Sequence, residues 1–462
     1  MSKSWDEINR KISEHRAVVL TAAEFKELAK TADPEELTRR VDVVTAATYS
    51  PMCSSSVIIN FGHADPPIRM EKISLNGVPA YEGLAAVDAM LGATAERPGD
   101  SSYGGAHVIE DLVRGRAVRL EASGKGTDCY PRREISALVN KDTVNEFYFF
   151  NPRNAYQNYG AAANGSDRAL RTYMGILKPG FGNVNYATTG EWSPLLNDPR
   201  LRTIGIGTSV FLGGARGHVV FQGTQFNTRV RQNGNGLPVS GGRTLALIAD
   251  AKQASPEFVA AGTVAGYGVS LFVGVGFAIP VLDADMAAAL SIRDSGITQL
   301  VRDYSRPDKP VVAETTYAEL SSGAVRVNDM LVPTACLSSR SKALAIMEKL
   351  REEVLSGAFR LVPPVGALPA DSAVCGLVVN GGLTESGSHA GISGAPAEVR
   401  ESRERIYVRA RCVDCGACVV HCPALALRLE GNPGTLRYDA RVCTSCGACF
   451  EACMRGALRD RD

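Results

Sequence analysis

Eight cysteines near one end constrain this 462-residue chain more than any other feature. Cys412, Cys415, Cys418 and Cys422 follow the pattern C-x2-C-x2-C-x3-C, closed by Pro423. Cys443, Cys446, Cys449 and Cys453 repeat it, with Met454 in the proline's place. Three closely spaced thiolates can hold three irons of one cubane, and the fourth thiolate of each run ligates the other cubane. The spacing therefore predicts two 4Fe-4S clusters. Cys412, Cys415, Cys418 and Cys453 would hold the first, and Cys443, Cys446, Cys449 and Cys422 the second. Gly416 and Gly447 fall inside the ligand loops, where backbone must turn sharply close to sulfur. C-x2-C pairs also build zinc sites, but two four-cysteine runs of this spacing are poorly explained by zinc. Disulfides fit worse, because ligand-spaced cysteines in a chain without an export signal read as metal sites.

Two such clusters move single electrons and do not by themselves transform an organic molecule. The remaining four hundred or so residues must hold the chemistry that uses them. Apolar content of 45% and charged content of 21% are those of a soluble globular protein. A net charge of +1 supplies no field for nucleic acid or an anionic membrane. The polar, acid-bearing start Met1-Ser-Lys-Ser-Trp-Asp-Glu is neither signal nor transit peptide, so a cytoplasmic location is expected. Phe258 to Leu282 is uncharged and long enough to span a bilayer. Its glycines, Pro280 and lack of flanking aromatic or basic belts favour a buried strand-turn-strand or strand-helix segment instead.

Helix is expected from Trp5 to about Arg40, with a break and fresh start at Thr31-Ala-Asp-Pro34. From Val41, short apolar runs alternate with glycine-rich turns. Strands are expected at Val57–Ile59, Val118–Leu120, Phe147–Phe150, Leu201–Ile206, Val219–Phe221, Leu245–Ile248 and Val269–Phe272. Helical patterns lie at Tyr81–Leu91, Asp285–Ile292 and Lys342–Leu355. The mixture predicts an α/β or α+β catalytic domain over 1–380. A small polar linker follows over 381–402, and a small α+β bacterial-type ferredoxin domain over 403–462. The linker contains the run Gly381 to Gly394, and a charged lead from Arg400 to Arg405 enters a strand at Ile406–Val408. Gly205-Ile-Gly207 lacks the third glycine of a dinucleotide fingerprint, since Val210 stands there, and no phosphate-binding G-x-x-x-x-G-K-[ST] occurs.

Four cysteines are not cluster ligands. Cys336 and Cys375 sit in apolar strings, where cysteine behaves as a small hydrophobe, and both are expected in the core. Cys53 precedes three serines whose hydroxyls and N–H groups can donate to a thiolate. Cys129 lies among turn formers ahead of Arg132 and Arg133, whose charge would favour the thiolate. A loop thiolate near arginine is the form that attacks or carries sulfur.

Around these two cysteines the chain resembles the homocysteine-biosynthesis family, the L-aspartate semialdehyde sulfurtransferases of methanogens and other anaerobes. The stretches that carry the resemblance begin with Tyr49-Ser-Pro-Met-Cys53, Gly126-Thr-Asp-Cys-Tyr-Pro-Arg-Arg-Glu134 and Asn151-Pro-Arg-Asn-Ala-Tyr-Gln157. Further along come Gly190-Glu-Trp-Ser-Pro-Leu-Leu-Asn-Asp198, Gly213-Gly-Ala-Arg-Gly217, Gly223-Thr-Gln225 and Gly274-Val-Gly-Phe-Ala-Ile-Pro280. The resemblance implies reductive sulfur insertion, turning an aldehyde into a thiol, with Cys53 and Cys129 as catalytic thiols. One would carry a persulfide and the other would resolve the intermediate as a disulfide, which electrons from the fused ferredoxin domain then reduce. Arg132, Arg133 and Arg153 are candidate carboxylate clamps, because a guanidinium fork matches a carboxylate. His63 and His107 are candidate acid–base groups. The expected partners are a small aldehyde, sulfide or a persulfide donor, a low-potential electron donor and further copies of the chain. A flavin-using oxidoreductase and a non-catalytic electron-transfer subunit are the competing readings.

Overall fold

A computed structural model describes residues 2–376 and 405–460. The expected linker over 381–402, the domain boundary at 403 and most of the charged lead from Arg400 lie outside these residues. The centre of the large domain is a ten-stranded sheet. Its order runs Val19–Thr21, Val43–Pro51, Gly268–Pro280, Ser209–Leu212, Ala215–Gln222, Leu245–Asp250, Glu146–Asn154, Ser56–Asn60 and Asp88–Gly92. Val259–Val264 forms a hairpin with Gly268–Pro280, so the uncharged segment is strand-turn-strand, as expected. Val19–Thr21 pairs in parallel with Val43–Pro51, which in turn lies antiparallel to Gly268–Pro280 over nine residue pairs from Val43↔Pro280 to Pro51↔Phe272. Both of these central strands are buried almost throughout, which explains their continuous apolar reading in place of alternation.

The helix Arg340–Leu355 lies across them and buries Ala343, Ile346, Met347, Leu350 and Val354. Its close approach depends on glycine. A Cβ at Gly274 would stand 2.5 Å from the Ile346 Cδ1 atom. A six-stranded sheet, ordered Val311–Thr316, Thr298–Asp303, Ala161–Ala163, Val184–Tyr186, Met330–Cys336 and Ala324–Val327, packs beside the first. A four-stranded sheet of Glu134–Val139, Val118–Ser123, Lys72–Leu75 and Val78–Ala80 lies outside both.

Several expectations need correction. The first forty residues are not continuous helix: Trp5–Ser13, Ala22–Leu28 and Pro34–Arg40 are separated by the strand Val19–Thr21. The fresh start at Pro34 holds, with Asp33 capping the Glu36 N–H at 2.8 Å. Tyr81–Leu91 is not a helix. Tyr81 exchanges backbone hydrogen bonds with Met90, and Asp88–Gly92 joins the main sheet. Leu201–Ile206 forms no strand, because the Asp198 carboxylate gathers the N–H groups of Arg202, Thr203 and Ile204 into a loop. Cys375 is exposed, not core.

The ferredoxin-type part spans the end of the described chain. Arg405–Tyr407 pairs with Leu458–Asp460, and Leu427–Glu430 with Thr435–Tyr438. No helix of the described residues is long and apolar enough to cross a membrane.

Candidate active site

The strand Val43–Pro51 ends at a turn, Met52–Ser55, that re-enters the sheet as Ser56–Asn60. Both flanks hold this turn: Met52 N–H donates to Leu271 O at 2.7 Å, and Ser54 Oγ donates to Arg153 O at 2.7 Å. Cys53 sits on it, at the wall of a cavity shared with Ser54, Tyr156, Asn158, Tyr159, Tyr173, Thr188 and Ser270. The cavity lies where the main sheet meets the six-stranded sheet, so its walls come from elements far apart in sequence. Burial pushes the Cys53 thiol up, against the opposing pull of the Arg153 guanidinium and the N–H groups of Cys53 and Ser54.

Tyrosine dominates the remaining wall. Tyr156 and Tyr159 meet edge to face at 4.7 Å, and Tyr173 Oη pairs with Tyr304 Oη at 2.8 Å. Burial drives the Tyr156 hydroxyl up to about 12 and the Tyr159 hydroxyl higher still, so both stay protonated donors. Ser270 is 7% exposed, and its hydroxyl finds no partner among the described residues. Asn158 is fixed in turn, accepting from Tyr317 Oη at 2.7 Å and donating to Pro238 O at 2.7 Å. Neutral donors around a half-buried thiol suit the capture of a carbonyl whose oxygen gains negative charge.

The expected site residues fall in three places. Arg153 joins Cys53: its charge acts on the thiol, and its buried Nε has no partner among the described residues. Cys129 lies elsewhere, exposed on the turn that precedes the strand Glu134–Val139. His63 stacks on Tyr130 beside it, with ring centroids 6.2 Å apart. Arg132 donates to Asp65 O at 2.8 Å and Pro66 O at 2.9 Å, so its guanidinium clamps two loops together. Arg133 folds against Gly126, closing the same turn. None of these four lines the Cys53 cavity. His107 occupies a third place, in the first turn of the helix Gly105–Val113, where its Nδ1 accepts the Gly104 N–H at 3.2 Å. Burial lowers its pKa and keeps it neutral. The tyrosines were missed by sequence reasoning. Their one signal was local density, with Tyr156, Tyr159 and Tyr173 close together in a chain only 6% aromatic.

The cluster cysteines form a near-repeat in space. Asp414 N–H points at Cys412 Sγ and Ser445 N–H at Cys443 Sγ, both at 3.4 Å. Ala426 N–H points at Cys422 Sγ and Ala457 N–H at Cys453 Sγ, both at 3.2 Å. Gly416 and Gly447 take φ of 77° and 79°, the left-handed conformation expected of them. Cys415 feels the charges of Cys453 and Cys412, while Cys449 feels those of Cys422, Cys443 and Cys446. The fourth cysteine of each run thus stands with the other run. Burial first, and neighbouring thiols second, push Cys415 up to about 12 and Cys449 to about 11. Two groups of four cysteines, each completed by a cysteine of the other run, are a donor set that suits two iron–sulfur cubanes.

Residues 17–361 match the family described as "Homocysteine biosynthesis enzyme, sulfur-incorporation". Residues 411–458 match a "4Fe-4S dicluster domain". The chain is 44% identical to an L-aspartate semialdehyde sulfurtransferase of Methanosarcina acetivorans over 372 residues, 80% of this chain and 72% of that one. It is also 44% identical to the protein of the same name in Methanocaldococcus jannaschii over 384 residues, 79% of this chain and 73% of that one. No solved structure matches.

Proposed function

The chain belongs to the homocysteine-biosynthesis, sulfur-incorporation family and is a sulfurtransferase carrying a fused 4Fe-4S domain, and from this premise we propose that it converts L-aspartate semialdehyde, or a close analogue, to the corresponding thiol at Cys53. The observation that carries the reading is a half-buried thiol in a cavity lined by neutral hydroxyl donors, with one arginine beside it.

The net reaction is RCHO + H2S + 2 e− + 2 H+ → RCH2SH + H2O. Cys53 carries the incoming sulfur as a persulfide, whose outer sulfur adds to the aldehyde carbon. The carbonyl oxygen becomes an alkoxide, which Tyr156 and Tyr159 meet with hydroxyl donors. Arg153 takes the substrate carboxylate in a charge-assisted pair. A second thiol then attacks Cys53 Sγ and forms a disulfide, releasing RCH(OH)S−. Loss of water leaves a thioaldehyde, and two electrons with two protons complete the thiol. Sulfide opens the disulfide to a persulfide and a free thiol, so sulfur loading needs no added oxidant. We assign the second thiol to Cys129. Its exposed turn must swing to the cavity, or be presented by a second copy of the chain. The two cysteine sets would hold the 4Fe-4S clusters, which supply electrons one at a time when bound.

The test is anaerobic, with the cluster-loaded chain given L-aspartate semialdehyde, sulfide and a low-potential reductant. Homocysteine measured by mass spectrometry, and lost in both Cys53→Ser and Cys129→Ser, supports the proposal. Homocysteine formation untouched by Cys53→Ser would sink it.

A further inference from the structure

The two cysteine sets meet the rest of the molecule differently. Several residues beside the first set are inserted into the catalytic part. Val413, next to Cys412, and Met454, next to Cys453, are each 6% exposed and belong to the main core. Ala417, two residues after Cys415, packs with Met174, Leu177 and Leu337, and Cys415 lies against the same group. Polar contacts fix this seat. Thr263 N–H donates to Met454 O at 2.9 Å, Lys178 Nζ to Val420 O at 2.6 Å, and Ser341 Oγ to Asp414 Oδ2 at 3.2 Å.

The wall that receives Cys415 and Ala417 is also the wall of the Cys53 cavity. Met174, Tyr159, Tyr173 and Ala187 pack with Ala417 and Cys415 on one side and line the cavity on the other. Cys336 reaches the same partition, with its thiol donating to Thr188 O at 3.2 Å, and Thr188 too faces the cavity. The second set is the more exposed of the two. Cys446 is exposed, as are Leu425 and Val442 beside Cys422 and Cys443, at 78% and 48%.

We infer that Cys412, Cys415, Cys418 and Cys453 form the inward set that serves the Cys53 cavity, while Cys443, Cys446, Cys449 and Cys422 form the outward set that meets a separate low-potential one-electron carrier. The inference rests on the proposed sulfur insertion, and it gives that reaction a direction: carrier, outward set, inward set, cavity. The balance closes. RCH=S + 2 e− + 2 H+ → RCH2SH needs two one-electron transfers across the Met174–Ala187 partition, and the external carrier is oxidised twice. The same side chains, Met174, Tyr159, Tyr173 and Ala187, border both the seat of the inward set and the cavity.

The test reads proximity rather than turnover. In the full, cluster-loaded chain with Cys129, Cys336 and Cys375 changed to serine, Cys53 is alkylated with bromotrifluoroacetone. The fluorine resonance is then recorded before and after reduction with dithionite. Reduction makes the clusters paramagnetic and should broaden the line severalfold. Cys446→Ala, which disrupts the outward set, should keep that broadening, and Cys415→Ala should remove most of it. Broadening lost in Cys446→Ala, or kept in full in Cys415→Ala with its cluster gone, overturns the assignment. Should Cys415→Ala lose both clusters, the Cys446→Ala chain alone decides. No aldehyde or sulfide is present, so failure of the homocysteine assay and failure of this inference remain separate results.

Discussion

A thiol that must attack carbon needs its thiolate form, and at Cys53 two influences contend. Burial raises its pKa above the ordinary thiol value, and the Arg153 guanidinium opposes that rise. Cys53 alkylation by iodoacetamide should therefore climb with pH to beyond the ordinary thiol value. Arg153→Gln removes the opposing charge, so its curve should lie at higher pH and its rate at neutral pH should fall severalfold. An unchanged or lower midpoint would contradict the role given to Arg153. The tyrosines make a separate prediction. Removing one preorganised donor to an oxyanion costs about 10²–10³ in kcat. Tyr156→Phe and Tyr159→Phe should thus lower kcat by roughly tenfold or more while sparing Cys53 alkylation, because shared donation spreads the loss below that limit. Steady-state kinetics beside alkylation rates separates the two effects. At this scale the sequence was legible where chemistry is local. Cys53 announces itself by its serine-rich turn, and the cluster ligands by their spacing. The tyrosine wall was not legible, because Tyr156 in a loop, Tyr173 in a hairpin turn and Ser270 in a strand converge only in the fold. Cys375 misled for the matching reason: an apolar string alone does not bury a residue, and Cys375 is exposed.

Among elements, the long apolar strands were the easiest to read and short amphipathic pieces the hardest. Gly268–Pro280 and Val43–Pro51 are buried on both faces, so their composition alone marks them. Val19–Thr21 is three residues long, and its strand character comes from pairing with Val43–Thr45, a partner invisible to local pattern. The same sheet sets the energetics of the helix Arg340–Leu355. Ile346 is fully buried over Gly274, so Ile346→Ala should cost about 2–5 kcal/mol in urea unfolding of the cluster-loaded chain. A cost well under 1 kcal/mol would mean the helix does not seat there. At the edge of this layer, Asp42 ties the first helix to the sheet through Lys11, Lys3 and the Val18 N–H, at 2.8, 2.8 and 3.0 Å. Burial raises its carboxyl pKa, but these donors outweigh burial and hold it below the ordinary value. Its contribution is therefore complete above about pH 4 and fades as pH falls through the folded-state value. Asp42→Asn should flatten the acid limb of the stability curve, while leaving the neutral limb displaced downward.

At the scale of the whole molecule, the residue that broke the sequence pattern helps seat the ferredoxin-type part on the main core. The first cysteine run closes with Pro423, the second with Met454, and the exception reads as drift when only the motif is in view. In the fold Met454 is a plug. Its flexible thioether fills a gap in the main core, and its carbonyl accepts from Thr263. Beside it, Arg455 pairs with Glu110 of the helix Gly105–Val113 at 3.2 Å, the two side chains being only 10% and 13% exposed. Neither contact could be foreseen, because each joins residues more than 150 positions apart and needs the seat before it has a meaning. The pair is a test of whether docking, rather than mere tethering, carries the electrons. Glu110→Ala removes the carboxylate from a nearly buried guanidinium, a change on the order of 3 kcal/mol. That cost should fall on the seating of the ferredoxin-type part, whose own ligands and strands are untouched. Iron content and the paramagnetic spectrum of the reduced clusters should stay as in the parent chain. The Thr263 amide, which reports the Met454 contact, should exchange with deuterium faster, and homocysteine formation driven through the clusters should drop severalfold. Faster exchange with full turnover would show that a tethered module suffices, and would remove the fixed seat from the account of electron delivery.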